Sequence, residues 1–189
     1  MNLQVELEKH RQNVIHKKRS ITTEETTKIS LILPFFRCLG YDVENPCEVK
    51  AEYACDVGVK TSEKVDLAIL IDDELQMLVE CKSVKTKLNS NHLHQLLRYY
   101  SVSDCKIAVL TNGVEYWFFT DSVKAGRMDS SPFLIVDIAN DDLSVLELFF
   151  RDNFSVEKIE NLVEELKYRT AIREILLSEF SAPSMNSFH

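Results

Sequence analysis

The chain has 189 residues, 45% of them hydrophobic, which is enough to bury a full core in one compact domain. Its formal net charge of −8 argues against a surface that is basic all over, so any nucleic-acid contact must use a local patch. No apolar run approaches the roughly 20 residues of a membrane span, and the polar start "MNLQVELEKHRQN" lacks the apolar segment of a signal peptide. We therefore expect a cytoplasmic protein without membrane contact.

Cysteine and glycine usage excludes further classes. The five cysteines form no CxxC pair and show no zinc-ligand spacing, and an odd number of thiols in apolar contexts suits a reducing compartment. The four glycines form neither a GxxxxGK[ST] phosphate loop nor a GxGxxG turn. We therefore expect no ATP and no dinucleotide cofactor.

Helical patterns occupy the first forty residues. Residues 3–19 predict an amphipathic helix, and residues 1–21 form an N-terminal helical extension. Its basic end, "HKKR", is either a solvated helix end or an arm that contacts phosphates. Thr22 or Thr23 is the expected cap of a second helix that Gly40 ends, and Pro34 should kink this helix or mark a boundary.

From residue 48 onward the hydrophobic period becomes that of β-strands. The pattern predicts strands over 48–57, 64–71, 75–82, 106–113, 114–121 and 132–138, and a helix over 89–102. Asn112-Gly113 is typical of a hairpin turn. We predict an α/β fold with a mixed sheet and a central antiparallel hairpin flanked by helices. The core would span 22–140, with C-terminal helices over 141–180 (141–151 and 155–180) and a flexible tail over 181–189.

Charged side chains interrupt two of the apolar strands. Glu80 and Lys82 of "LVECK" share one strand face, which we expect to lie outside the core, and Asp66 is the lone charge within "KVDLAILI". If "DDE" forms the connecting loop, Ile71 pairs with Leu75, and Asp66 lies directly opposite Glu80 with Cβ atoms about 4.5–5.5 Å apart. A loop of even length would instead turn the two carboxylates to opposite faces.

Two carboxylates that face each other repel and require a positive charge between them. A hard cation such as Mg²⁺ takes oxygen ligands and keeps several waters, so Asp66, Glu80 and the Cys81 backbone carbonyl are candidate metal ligands. Lys82 is suited to orient an attacking water or to stabilise charge on a phosphate. This set fits metal-assisted phosphodiester hydrolysis; the alternative is a salt-bridged strand edge without catalysis.

The helix after this strand has a polar face. Gln95 and Tyr99 of "HLHQLLRYY" lie one turn apart, and His92 is close to the same face. The alternative is that Gln95 caps a loop and Tyr99 packs half-buried. A local basic patch beside this face would suit a nucleic-acid backbone, and its members are Lys85, Lys87 and Arg98.

Three segments occur in an order and at spacings typical of a known family: "EKVDLAILIDDELQMLVECK", "HLHQLLRYY" and "AVLTNGVEYWFFTD". They resemble the N-terminal nuclease domain of type I restriction enzyme motor subunits and the small prophage and phage proteins built on it. The resemblance covers residues 23–138 and implies a PD-(D/E)XK restriction-endonuclease-like fold. It also implies a bacterial cell, or a phage-encoded protein acting there, as the setting.

The resemblance implies roles for individual residues. Asp66 and Glu80 match the two acidic metal ligands, and Lys82 matches the catalytic lysine. Gln95 and Tyr99 match a QxxxY motif that supports the site and contacts DNA.

A helix glutamate near the metal is a further feature that the resemblance implies. Glu25 falls at that place, with its neighbour Glu24 as the alternative. The motor motifs that follow this domain in the restriction subunit have no counterpart in this sequence.

These observations support one leading hypothesis and two alternatives. The leading hypothesis is a DNA endonuclease dependent on Mg²⁺ or Mn²⁺, in restriction or in phage defence or counter-defence. An alternative from another class is a catalytically weak or inactive nucleic-acid-binding or regulatory module that keeps the nuclease fold, with a restriction or defence partner subunit. The third alternative is RNA, stacked on the aromatic run Tyr116, Trp117 and Phe118.

The last predicted helix carries a long apolar stripe at helical spacing. The stripe packs on the protein's own sheet or forms a homodimer contact. Its members are Val156, Ile159, Leu162, Val163, Leu166, Ile172, Ile175 and Leu176.

Overall fold

The computed structural model describes residues 3–54 and 64–181, with side chains to residue 178. The last three residues of the predicted strand over 48–57 and nearly all of the predicted tail lie outside the described residues. The described residues form two compact units, divided between Ser155 and Val156. None of the helices in the described part is long and apolar enough to cross a membrane.

The N-terminal helices follow the predicted order. The first helix, α1, spans Leu3–Lys17. The second, α2, spans Glu24–Thr27, and Thr23 caps it through a reciprocal pair of hydrogen bonds with Thr26, which confirms the predicted start.

The second helical pattern is irregular where Pro34 was expected to disturb it. After α2 the backbone widens into a π-helical segment, Lys28–Ile32, before the α-helix resumes as α3, Leu33–Cys38. Proline has no N–H to donate and its ring crowds the preceding turn, so a wider turn immediately before it relieves the conflict. The chain then leaves the helix at Gly40, whose φ of +91° is in the region that glycine tolerates best.

Within the described residues, six strands form one open mixed sheet in sequence order. They are β1 Val49–Tyr53, β2 Val65–Ile71, β3 Glu74–Cys81, β4 Ile107–Thr111, β5 Glu115–Phe119 and β6 Leu134–Asp137. Neighbouring strands run antiparallel except β3 and β4, which run parallel and are connected through α4, His94–Tyr100. A short 3₁₀ turn, Ser90–Leu93, precedes α4. The predicted mixed α/β sheet flanked by helices is therefore confirmed.

The hairpin between β2 and β3 has the predicted register at its far end but a different turn. The loop is the two-residue turn Asp72-Asp73, both with positive φ, and Ile71 pairs with Glu74 rather than with Leu75. A bulge then places one extra residue, Gln76, in β3. Beyond it, the partners Leu67↔Val79, Ala68↔Leu78 and Ile69↔Met77 have the predicted register.

Both faces of the central strands are buried, which corrects the expectation that only one face belongs to the core. One face packs Leu78 and Ala68 with Leu96 and Tyr100 of α4 in a single apolar cluster. The other face carries Tyr116, whose ring lies 4.0 Å from that of Phe35 in α3. Helices thus cover the middle of the sheet on both sides, and apolar residues run almost continuously along β2 and β3.

The end of the chain differs from prediction in one element. The stretch predicted as a helix over 141–151 contains only a 3₁₀ helix, Ser144–Phe149. Asp142 accepts hydrogen bonds from the backbone N–H and the hydroxyl of Ser144, a local turn that competes with a regular α-helical start. The second unit contains α5, Val156–Ser181, close to the predicted helix over 155–180.

Candidate active site

Asp66 lies in β2 immediately before Leu67, which pairs with Val79 of β3. The same antiparallel register places Asp66 opposite Glu80. One oxygen of its carboxylate, Oδ2, accepts a hydrogen bond from the backbone N–H of Cys81 at 2.8 Å. The other oxygen, Oδ1, accepts from the Lys28 ammonium group, also at 2.8 Å. The two acids that the sequence pattern paired therefore do come together.

Glu80 is only 4% exposed near the end of β3. Its Oε1 accepts a hydrogen bond from Lys82 at 2.6 Å, whereas Oε2 is buried and has no hydrogen-bond partner among the described residues. Burial raises the pKa of Glu80 from 4.5 to about 6, the charge of Asp66 adds to the rise, and Lys82 opposes it. The carboxylate is thus poorly compensated and retains an unused oxygen.

Lys82 follows the last residue of β3, and its backbone N–H donates to the carbonyl of Thr111 at 2.8 Å. Burial lowers the pKa of this lysine, but the hydrogen bond from Lys82 to Glu80 and the Glu80 charge outweigh burial and raise it. Lys82 is therefore an ammonium group at neutral pH, suited to stabilise negative charge rather than to accept a proton.

The middle residue of the Glu-x-Lys motif, Cys81, is fully buried next to the charged residues of the site. Its side chain is 0% exposed, and burial keeps the pKa of its thiol well above the ordinary value. Its backbone N–H donates a hydrogen bond to Asp66 and so helps to hold that carboxylate in the site. A metal contact from its carbonyl stays a prediction.

Helix α2 and the π-helical segment that follows it bring three charged side chains to the site, those of Glu24, Glu25 and Lys28. Glu24 lies 4.0 Å from the Lys82 ammonium group, and its charge adds to the pKa rise of Glu80. Glu25 is 70% exposed and lies 3.6 Å from Lys28. Of the two glutamates, Glu24 therefore approaches the acid–lysine pair, whereas the family resemblance favoured Glu25.

Sequence reasoning missed Lys28. It is the one basic residue between Arg19 and Arg37, and it lies three and four residues after the glutamates, which was the available signal. Its partner Asp66 is 38 positions away, so only the tertiary arrangement reveals the contact.

Two close contacts hold this helical segment over the end of β3. The buried hydroxyl of Thr27 donates to the carbonyl of Thr23 at 2.7 Å and accepts from the backbone N–H of Val84 at 3.0 Å. A Cβ atom at Gly113 would lie 2.8 Å from the Cβ of Leu31, so the helix rests directly on the glycine of the β4–β5 turn. The Asn112-Gly113 turn therefore has a packing role in addition to closing the hairpin.

The two residues of the QxxxY motif in α4 have different surroundings: Gln95 contacts the backbone before β2, whereas Tyr99 is buried in the core. The Gln95 side-chain amide donates to the backbone carbonyl of Lys64, two residues before Asp66, so it fixes the entry of β2 into the site. Tyr99 is 1% exposed and belongs to the apolar cluster under the sheet. Its side chain has a packing role, which corrects the prediction that it contacts nucleic acid.

The remaining predicted nucleic-acid residues lie in α4 and in the segment that precedes it. The half-buried ring of His92 accepts the backbone N–H of Asn89 through Nδ1, so it caps the 3₁₀ turn before the helix. The side chains of the predicted basic patch are exposed, namely Lys85, Lys87 and Arg98. The aromatic residues proposed for RNA stacking do not form such a surface, since Tyr116 and Phe118 are at most 1% exposed.

The donor set fits a hard divalent cation. Asp66 and Glu80 supply carboxylate oxygens on adjacent strands, and the buried Glu80 Oε2 lacks a partner among the described residues. No group of three or more His, Cys, Asp or Glu side chains arranged to hold a metal was found in residues 3–54 and 64–181. Mg²⁺ sites commonly use one or two protein carboxylates and complete their coordination with water and substrate, so the pair is compatible with that ion.

A mixed α/β sheet that places two acids and a lysine at the ends of adjacent strands defines a restriction-endonuclease-like domain. The family model described as "Type I restriction enzyme R protein N terminus" matches residues 23–133, and the chain belongs to this family. Membership indicates a nuclease-like domain from a restriction system that works on DNA together with other subunits. Comparisons with curated proteins and with solved structures returned no match.

Proposed function

We propose that this protein is a DNA endonuclease that depends on Mg²⁺ or Mn²⁺ and hydrolyses phosphodiester bonds in restriction or in phage defence or counter-defence. The observation that carries the proposal is the pairing of Asp66 with Glu80 on adjacent strands, with Lys82 in contact with Glu80 at 2.6 Å. Family membership supports the same chemistry. DNA is the substrate that the family favours, and the acidic chain would approach it through the exposed patch of Lys85, Lys87 and Arg98.

The residues of the site divide the work of hydrolysis. Asp66 and Glu80 would hold the divalent ion, and Glu24, 4.0 Å from Lys82, is a further carboxylate on the helix side. When bound, the ion would lower the pKa of a coordinated water and neutralise charge on the scissile phosphate. Lys82, kept protonated by Glu80, would stabilise the negative charge that grows on a phosphate oxygen as water attacks and one P–O bond breaks.

Gln95 acts on the site indirectly. Its amide holds the Lys64 carbonyl at the start of β2, and this contact fixes the strand position from which Asp66 projects. It is therefore a positioning residue.

A plasmid-cleavage assay tests the proposal. Supercoiled and linear DNA would be incubated with the full chain and either Mg²⁺ or Mn²⁺, and products resolved on a gel. We expect nicked or cut products that disappear without the metal ion and in Asp66→Ala and Lys82→Ala. Lys106→Ala is the matched control, because this lysine pairs with Asp121 outside the site and its loss should leave cleavage intact.

Two results would contradict the endonuclease proposal. One is the absence of cleavage by the folded wild-type protein with both ions. The other is cleavage that persists unchanged in both site variants, because it would then come from another site or from a contaminant.

The second candidate function is an interaction module that keeps the nuclease fold without cutting. It is favoured by the apolar residues that α5 exposes, Tyr168, Ile172, Ile175, Leu176 and Leu177, each at least 48% exposed. Binding of labelled DNA in a mobility-shift assay, with no cleavage and no change in Asp66→Ala, would support this candidate. The homodimer stays a prediction, and light scattering at high protein concentration tests it, since a strict monomer excludes it.

A further inference from the structure

Lys28 places a positive charge where the proposed site needs one. It opens the π-helical segment, and its side chain is only 13% exposed. Its Nζ lies 2.8 Å from Asp66 Oδ1 and 3.6 Å from Glu25 Oε2. π-Helical turns recur at functional sites because they re-aim side chains out of the regular helix pattern.

The oxygen atoms of the two strand acids are unequally occupied. Asp66 uses Oδ2 for the Cys81 N–H and Oδ1 for Lys28, and Glu80 uses Oε1 for Lys82. Only Glu80 Oε2 lacks a hydrogen-bond partner among the described residues. A carboxylate oxygen can accept more than one contact, so a cation held by both acids either shares Asp66 with the Lys28 ammonium group, a like charge 2.8 Å from Oδ1, or displaces it.

The net charge of the site would be balanced by one divalent ion. Four carboxylates and two ammonium groups meet there, which leaves two negative charges when all are ionised. The acids are Glu24, Glu25, Asp66 and Glu80, and the cations are Lys28 and Lys82. A lysine side chain is ordinarily an ammonium group at neutral pH, and that of Lys28 lies 2.8 Å from Asp66 Oδ1.

We infer that Lys28 is an internal cation that competes with the divalent ion for Asp66 and so lowers the affinity of the metal site. In the metal-free protein it neutralises Asp66 and stabilises the fold. A divalent ion that binds Asp66 must displace this ammonium group or tolerate a like charge beside it, and either requirement weakens its binding. The inference rests on the proposed function only for the existence of the metal site.

Mn²⁺ binding to the full chain without DNA tests this competition. Calorimetry would give the Kd of the wild-type protein, Lys28→Met and Lys28→Gln, and thermal unfolding would be followed with and without Mn²⁺. We expect either neutral variant to bind Mn²⁺ about tenfold more tightly or better, because a like charge a few ångströms from the ion is removed. The metal-free variants should unfold at lower temperature, and Mn²⁺ should raise that temperature more than in the wild-type protein.

Two further variants serve as controls for the Lys28 substitutions. Lys106→Met removes a lysine from the pair with Asp121, 3.3 Å apart and outside the site, so it should not change the Kd for Mn²⁺. Asp66→Asn should abolish binding both in the wild-type background and combined with Lys28→Met, because it removes the shared ligand. Circular dichroism establishes that each variant is folded, and Lys28→Gln replaces Lys28→Met if the latter is not.

The possible failures are distinguishable. An unchanged or weaker Kd in the folded Lys28 variants overturns the inference, leaves the metal site intact, and makes Lys28 a structural ion pair only. If neither the wild-type protein nor any Lys28 variant binds Mn²⁺, the inference fails together with the metal-dependent function. If the wild-type protein cleaves DNA but its Kd for Mn²⁺ equals that of the Lys28 variants, the proposed function stands and this inference alone is rejected.

Discussion

Glu80 should make the metal-free protein less stable as the pH rises from about 4.5 to about 6. Burial raises its pKa from 4.5 to about 6, so within this window the folded protein binds a proton that the unfolded chain has already lost. The free energy of unfolding therefore falls as pH rises, in the direction opposite to an ordinary ion-paired acid. One pKa unit corresponds to about 1.36 kcal/mol, so the full contribution is about 2 kcal/mol.

Comparison with Glu80→Gln isolates this contribution. Urea unfolding of both proteins would be measured from pH 4 to pH 7.5 in the presence of a chelator. The variant also loses the charge beside Lys82, but that lysine is protonated throughout, so its effect is an offset that does not change with pH. The variant should gain stability relative to the wild-type protein by about 2 kcal/mol across the range, mostly between pH 4.5 and 6.5.

The comparison also has a refuting result. A difference between the two proteins that is constant with pH, or that shrinks as pH rises, would show that Glu80 is well solvated or fully compensated. The reasoning from its unpartnered Oε2 would then fail. Adding Mn²⁺ at pH 7.5 should stabilise the wild-type protein much more than Glu80→Gln, because an ion that binds only the folded state shifts the equilibrium towards it.

Two further predictions concern the helices beside the site. Gly113→Ala should cost about 2 kcal/mol or more in urea unfolding, because its Cβ would lie 2.8 Å from Leu31 at a φ of +79°. Gly126→Ala, with similar φ but open space around it, should cost only about 1 kcal/mol, and equal losses would refute the packing argument. Burial, with a smaller effect of Lys17, lowers the pKa of His10 from 6.5 to about 4, so stability should fall by about 3 kcal/mol as pH falls through that interval. His10→Leu should flatten this pH dependence, and an unchanged slope would refute the assignment.

Strand periodicity was sufficient to predict the pairing of Asp66 with Glu80, although one step of the reasoning was wrong. The expected three-residue loop is a two-residue turn, which Asp72 and Asp73 permit because aspartate tolerates positive φ better than most residues. By itself that turn would have sent the two acids to opposite faces. The bulge at Gln76 adds one residue to β3 and restores the parity. The register away from the turn was the correct part of the prediction, and it keeps the two acids opposite each other although both faces of these strands are buried.

The counterions of the site could not be predicted in the same way. Strand periodicity assigns residues to faces of one sheet, whereas Lys28 and Glu24 reach the strand ends from a helix whose position depends on distant contacts. That position requires the near-absence of a side chain at Gly113 and the buried hydroxyl of Thr27. Likewise, α4 covers the second face of the sheet, so Tyr99 packs in the apolar cluster instead of contacting nucleic acid. The two acids and Lys82 therefore follow from local pattern, while the cation that competes for Asp66 is a product of helix docking, and a change at Gly113 should alter metal affinity without touching a ligand.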